Sequence, residues 1–400
     1  MLRLVAPAGA PVKSAELLRG LGRAVFQERS ARHTDTLAAQ LRVSHIFGMS
    51  SGRAALWLIL KTLKGLRPDR DVVAIPAYTC FSVAASVVRC GMKIHPIEVN
   101  PETLDFDITS LDSLPAERLL CLVTGNLFGL VNDCEQLKKA VRARGAFLVD
   151  DAAQAMGSTR NGRFAGTLGD VGFYSLAGGK ASGSVQGGLI VTNSDSIARK
   201  ICKEAQYVGT TPVADKIRLL LKTAGYATFL HPRLFWIPSS LPFLKLGRTE
   251  FEPGFPVAQF PRLSGALLPE LIGTMGGANG TRRSNAAAIA DALAGLPQFA
   301  IPQPAADCQP GYIRFPVLAK NAVIRQKAVR RLREVGIGAS PFYPSAICDI
   351  PGIDQYMALR EFHRPRAEQI SERLFTLPTH AYVRPREIER MATVLREIQE

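Results

Sequence analysis

A chain of 400 residues, 47% of them hydrophobic, is long enough to bury a large core and is sized for two or three domains, or one large domain with a smaller one appended. Its seven cysteines are scattered without a CxxC pair and its six histidines are dispersed, which excludes a disulfide framework and zinc-type spacing and argues for a reducing compartment. The net charge of +15 comes from basic residues spread along the chain, with no nucleic-acid module, so of nucleic acid, an anionic membrane or phosphorylated small molecules, general polyanion binding is the default and a phosphate-rich ligand the sharper reading.

The opening "MLRLVAPAGAPVKSAELLRG" has a short apolar part broken by Pro7 and Pro11, so no signal peptide is expected; no apolar run reaches membrane-spanning length. Residues 14–29 have the spacing of an amphipathic helix, and 34–41 of part of another. The hydroxyl-rich turn "GMSSG" leads into "RAALWLILKTLKG", a helix stopped at Gly65. "DVVAIP" is a buried strand, "CFSVAASVVRCG" a helix closed by Gly91, and "MKIHPIEV" and "LLCLVT" (119–124) are strands. "DCEQLKKAVRARG" is a helix capped by Asp133 and stopped by Gly145. "AFLVDDAAQA" is a strand running into Asp150 and Asp151, and "DVGFYSL" and "GGLIVTN" are two more. Strands alternating with helices in this way imply parallel crossovers, hence an α/β sheet covered on both faces, with its ligand at the carboxyl ends of the strands.

From 199 to 260 the periodicity degrades into an apolar, basic, proline-broken excursion; residues 199–248 hold nine Lys/Arg and two Asp/Glu. A helix pair (263–275, 281–295), the strand "YIRFPVLA", the helix "AVIRQKAVRRLREVG" and a terminal helix from about 385 read as a smaller α/β domain. The division is therefore a large domain over 1–250 and a small one over 251–400.

The stretch "GFYSLAGGKASGSVQGG" (172–188) places one long cation, Lys180, among residues with almost no side chains. A lysine in such a place is either a surface loop residue or a nucleophile towards carbonyls, with Gly178, Gly179 and Gly183 letting the backbone approach a flat ring. The strand ending in Asp150-Asp151 lies about thirty residues upstream, and adjacent strand residues face opposite ways. One acid therefore faces a pocket while the other faces out or caps a helix. An acid and an isolated lysine so arranged suit pyridoxal phosphate: the lysine joins the aldehyde and the carboxylate keeps the pyridine nitrogen protonated. "GMSSGRAAL" adds a helix start with serine hydroxyls that suits a phosphate, where Arg53, unfavourable for the macrodipole, gains a partner; the plainer reading is an N-cap by Ser50 or Ser51.

In this order, the phosphate turn, "IPAYT", "GNLFG", "DDAAQA", "YSLAGGK", "QGGLIVTN", "RRLREVGIGASPFYP" and "FTLPTHAYV" resemble the DegT/DnrJ/StrS-type aminotransferases over roughly 35–200 and 260–400. The resemblance implies an aspartate-aminotransferase-like fold of type I: a mostly parallel, seven-stranded sheet sandwiched by helices, plus a smaller C-terminal α/β domain. It places Lys180 on the Schiff-base lysine, Asp151 on the acid at the pyridine nitrogen, Gln154 beside the ring and Ser175 on the phosphate. Ser51, Gly52 and Arg53 fall on the phosphate turn, where the family has glycine-threonine. Asp150 replaces a usual glutamate. Cys80 stands where a stacking aromatic is common, so Tyr78 or Phe81 is expected to help. Val185 and Gln186 in "VQGG", and Phe260 in "FPRLS", depart from the family pattern around the substrate and the subunit contact.

The implied activity is ping-pong transfer of an amino group, from L-glutamate, to the keto group of a nucleotide-linked sugar in polysaccharide or secondary-metabolite biosynthesis. Lys180 moves the proton and Asp151 supports the electron sink. Arg262 and Arg314 are candidate carboxylate or phosphate clamps, and no metal is expected. A cytoplasmic homodimer with shared active sites is implied. Two other readings stay open: a dehydratase-like enzyme on the same cofactor, against which Lys180 argues because family dehydratases carry histidine there, and a non-catalytic regulator or membrane-associated scaffold. For 199–248, subunit packing or active-site cover is favoured over contact with an anionic membrane.

Overall fold

The computed structural model describes residues 3–11, 14–26, 31–181, 186–210, 212–244, 246–247, 249–359 and 364–398. Short apolar runs form seven strands: β1 His45–Met49, β2 Val72–Pro76, β3 Lys93–Ile97, β4 Leu119–Val123, β5 Phe147–Asp151, β6 Val171–Ser175 and β7 Gly188–Thr192. They make one sheet in the order β1-β7-β6-β5-β4-β2-β3. Pairing is parallel from β3 through β2, β4 and β5 to β6; β7 alone runs antiparallel to both its neighbours. The sheet is thus mostly parallel, as the family resemblance implies.

Alternation along each strand feeds two cores. Leu122, Leu148 and Leu189 face helices Ala31–Leu41 and Cys134–Arg142, while Val123, Val149 and Ile190 face helices Gly52–Leu66, Phe81–Arg89 and Asp195–Ala205. The capping carboxylate of Asp133 accepts from Gln136 N at 3.0 Å, which starts the Cys134–Arg142 helix where expected.

A smaller antiparallel sheet of Phe299–Ala300, Phe315–Ala319 and Leu374–Leu377 packs against helices Ala322–Glu334 and Pro385–Arg396. Val5 bridges to Ile337 and enters this second core, so the start of the chain packs with the smaller sheet.

Two expectations are corrected. The helix pair over 263–275 and 281–295 is one helix, Arg262–Leu293, 32 residues long with Pro269 inside. Gly273, Gly276, Gly277 and Gly280 lower its local propensity, but packing overrides them. Arg23 reaches Ala266 O and Glu270 from helix Ser14–Phe26, while Ala286, Ile289 and Leu293 enter the core of the smaller sheet. The degraded 199–260 region contains regular structure: helix Val213–Phe229, a short helix Trp236–Ser239 and a turn at Pro242–Leu244. The helix expected over 14–29 runs Ser14–Phe26, and residues 27–30 lie outside the described residues, as do Val185, Lys245 and Arg248.

Candidate active site

The parallel arrangement brings the carboxyl ends of five strands to one edge of the sheet, around a cavity of about 280 Å³. Ser51, Gly52 and Arg53 follow β1, Thr79 and Cys80 follow β2, and Gly125 follows β4. Asp151 closes β5 and Ser175 closes β6. Lys180 sits five residues past Ser175 in a turn where its own N–H donates to Ala177 O at 3.1 Å and Gly179 takes φ +81°.

Asp151 faces the cavity. Its Oδ1 accepts from Ala153 N at 2.8 Å, and burial pushes its carboxyl up to about 7, against the pull of the nearby Lys180 charge. Asp150 points the other way, but neither outward nor to a helix cap. It is fully buried and accepts from Gly166 N (2.7 Å), Leu168 N (3.0 Å), Asn126 Nδ2 (2.7 Å) and Thr124 Oγ1 (3.2 Å). The reason is that β5 is covered on both faces, so the alternate residue meets protein rather than water. Burial raises its carboxyl too, and these four donors oppose the rise. Thr124 and Asn126 also grip the neighbouring acid: Thr124 Oγ1 accepts from Asp151 N at 2.8 Å, and Asn126 Nδ2 donates to Asp151 O at 2.7 Å. Neither was singled out from sequence; their signal is the "TGNLFG" run, with Asn126 in the left-handed region (φ 38°) that asparagine tolerates.

The phosphate-type corner is built by close approach. Ser51 N-caps helix Gly52–Leu66, its Oγ accepting from Ala54 N at 3.2 Å. A Cβ on Gly52 would stand 2.8 Å from Ser175 Cβ and 3.1 Å from its Oγ, so only glycine lets the helix start meet Ser175. Gly52→Ala is expected to cost about 1–3 kcal/mol by overpacking, read as a lower denaturant midpoint. Arg53 lines the cavity while its Nη1 pairs with Glu252 at 3.0 Å and its guanidinium lies 4.9 Å over Phe255.

Burial lowers the Lys180 amine from its ordinary range and the Arg314 charge pushes the same way, while Cys80 and Asp151 oppose. The Arg314 guanidinium lies 5.3 Å over Phe342 and reaches Thr376 Oγ1 at 3.5 Å. Burial pulls it below its usual range, and it has no carboxylate partner among the described residues. Arg314 does not line the cavity, but its desolvated charge acts on the Lys180 amine and suits an incoming anion.

Gln154 forms one wall, its Oε1 accepting from Phe128 N at 3.2 Å and its Nε2 donating to Tyr343 Oη at 2.8 Å. Tyr78 and Phe81 do not line the cavity. Tyr78 is buried behind Tyr343, ring centroids 5.5 Å apart. Phe81 begins helix Phe81–Arg89, where the turn of the helix carries it into the sheet core, leaving Cys80 at the cavity with its Sγ accepting from Ser82 Oγ at 3.0 Å. Arg262, exposed at the first position of its long helix, is outside the lining as well. Thr249 and Glu250, which sequence did not mark, are part of the lining. Among the described residues no group of three or more His, Cys, Asp or Glu side chains is placed to hold a metal.

A buried acid, a desolvated lysine and a helix-start cradle on one edge of such a sheet define the fold-type-I class. The structure overlays on an aminotransferase of Helicobacter pylori involved in the biosynthesis of pseudoaminic acid with TM-score 0.80, covering 99% of each chain at 16% identity, a likeness of fold. The family model described as the DegT/DnrJ/EryC1/StrS aminotransferase family matches residues 24–232 and 258–396, and the chain belongs to that family. It is 27% identical to a UDP-N-acetyl-3-dehydro-alpha-D-glucosamine 3-aminotransferase of Acidithiobacillus ferrooxidans over 88% of this chain and 84% of the relative. It is also 30% identical to a pleiotropic regulatory protein of Geobacillus stearothermophilus, over 44% of this chain and 47% of that protein. With this and another curated relative, the match spans less than half of the relative's length.

Proposed function

We propose that the chain is a pyridoxal-phosphate-dependent aminotransferase that moves an amino group, with L-glutamate as donor, onto the keto carbon of a nucleotide-linked sugar. The observation that carries this reading is Lys180 and Asp151 lining one cavity, each with its ionisation shifted by burial. The residues fit the cofactor: Gly52 leaves the space beside Ser175 that a Cβ would fill, next to helix-start N–H groups and two serine hydroxyls suited to a phosphate. Ser51, Gly52, Arg53 and Ser175 would hold that phosphate, Asp151 the ring nitrogen and Gln154 the ring's edge. Bound there, the cofactor supplies a carbonyl for the amine to join and an electron sink.

The chain's own residues do the rest. Lys180 Nζ, its proton affinity lowered by burial, takes up and returns the proton. Arg314 receives the donor's carboxylate in a bidentate fork. Gln154 and Tyr343, hydrogen-bonded to each other, keep that wall fixed. The reading extends to a homodimer in the reducing cytoplasm; the seven unpaired cysteines support that compartment.

The test has two stages. Borohydride treatment of the cofactor-loaded chain, followed by peptide mapping, is expected to capture the cofactor on Lys180; its absence there defeats the reading. The glutamate-loaded protein is then mixed with a panel of nucleotide keto sugars and other keto compounds. Sugars are expected to restore the aldehyde-form absorbance, and restoration by non-sugar carbonyls alone removes the sugar assignment.

A further inference from the structure

We propose that the outer face of helix Val213–Phe229, with the 236–246 turn after it, is a docking surface for an anionic phospholipid bilayer. This is independent of the catalytic reading. The helix has two apolar stripes. One, with Leu219, Thr223 and Leu230, is buried against the protein, and Ala10 N donates to the Tyr226 hydroxyl at 3.0 Å on the same side. The other, Ile217, Leu221 and Ala224, recurs at three- and four-residue spacing about 150° round the helix and stands in solvent; Leu221 is 68% exposed. The segment after the helix exposes further large apolar side chains, Trp236, Leu244, Leu246 and Phe243, the last 74% exposed. Apolar exposure on this scale marks a surface that something covers.

Charge selects the occupant. Residues 199–248 carry nine Lys/Arg against two Asp/Glu. Arg218 and Lys222 flank the outer stripe, and neither they nor Arg233 has a carboxylate partner among the described residues. Arg233 also borders a cavity of about 80 Å³ shared with Arg3, Arg384 and Arg386, where Arg3 and Arg386 share the one carboxylate of Glu387. That leaves cationic capacity for a phosphate group beside the apolar turn. Large exposed apolar side chains with unpaired cations along one side are what a lipid interface with anionic headgroups takes. A second copy of this chain fits less well, because a two-fold contact would set the patch's cations against themselves in a molecule of net charge +15. No helix among the described residues is long and apolar enough to cross a membrane, so the contact is peripheral.

The location gives the surface a use. Residues 233–257 fall in the gap between the two stretches that the family model matches, so the apolar turn belongs to this chain rather than to the family pattern. Three residues beyond Leu246, Thr249 and Glu250 line the active cavity, and Glu252 pairs with Arg53. A bilayer held at the turn is thus within a short span of chain of the cavity lip.

Flotation of the full-length protein with phosphatidylglycerol–phosphatidylcholine vesicles tests this, with pure phosphatidylcholine vesicles beside it. The protein is expected to float with the anionic vesicles and not the zwitterionic ones. Retention should fall as salt rises, each cation near the surface contributing about a fivefold factor at low salt. Leu221→Glu with Phe243→Glu should weaken partition by at least about tenfold, the scale for one large side chain returned to water. The thermal midpoint should not move, since both side chains are already exposed. Absence from the anionic vesicles overturns the proposal, as does a double variant that floats like the parent. If the parent does not float and the same substitutions turn a dimer into a monomer, a second copy covers the face and the proposal fails.

Discussion

Lys180→Ala should lower amino transfer by at least about 10³-fold, the upper range for losing a positioned acid–base group, while leaving the fold intact. The fold survives because the amine is a desolvated cation whose attraction to Asp151 is opposed by Arg314; removing it relieves a cost instead of breaking a tie. Lys180→Arg is the informative companion. Arginine keeps the positive charge beside Asp151 but does not release a proton near neutral pH, so it should be as inactive as alanine if the lysine moves protons, and partly active if it only supplies charge. Both variants are checked by single-turnover mixing with glutamate and by urea unfolding. Substantial turnover in the alanine variant would remove the foundation of the catalytic reading.

Asp151→Asn should act in opposite directions on activity and stability. Activity is expected to fall by about 10²–10³-fold, the scale for losing one preorganised electrostatic stabiliser. Stability of the cofactor-free protein should rise. The carboxyl is pushed from its ordinary 3.8 to about 7 in the fold, so the folded state binds its proton more tightly than the unfolded chain does. Its contribution to stability is therefore fully present below about pH 4 and is lost as pH climbs to about 7. The asparagine variant avoids that loss. Its advantage should be near zero at pH 4 and grow to about 2–4 kcal/mol by pH 8, with the coupled Lys180 charge reducing the figure. Thermal melts of both proteins across that range give the answer; a gap that does not widen with pH would place the ionised carboxylate in a better-solvated environment than the cavity provides.

Much of this architecture is written locally. β2, β4, β6 and β7 are buried along their whole length, so they read as unbroken apolar runs. β1 escaped notice because it is an edge strand, mostly half-buried with a glycine near its centre, and it forms by pairing with β7 from His45↔Thr192 to Met49↔Gly188. At the site, Ser51, Gly52, Arg53, Asp151, Gln154, Ser175 and Lys180, all singled out from sequence, line one cavity. The two misplaced aromatics share one cause, the direction of a side chain. Tyr78 and Phe81 flank Cys80, yet a helix start between them turns both rings into packed layers. Thr249 and Glu250 carried no signal, because a largely helical excursion of about fifty residues returns them to the cavity and only the folded chain records that return.

The 32-residue helix Arg262–Leu293 is about 48 Å long, one end anchored against the large sheet's layer and the other within the small one. Its middle third carries Gly273, Gly276, Gly277 and Gly280, each of which gives up about 1 kcal/mol of intrinsic helicity, and Cβ atoms added at these four positions would meet nothing within 4 Å. Only the glycine-bearing face is bare there: Met275 and Asn279 are buried on the inner face, Asn279 Nδ2 donates to Met156 O at 3.1 Å, and Arg282 donates to Ala181 O at 3.3 Å. Through Arg282, the end of this beam that enters the smaller sheet is joined to Ala181, and so to the turn that carries Lys180.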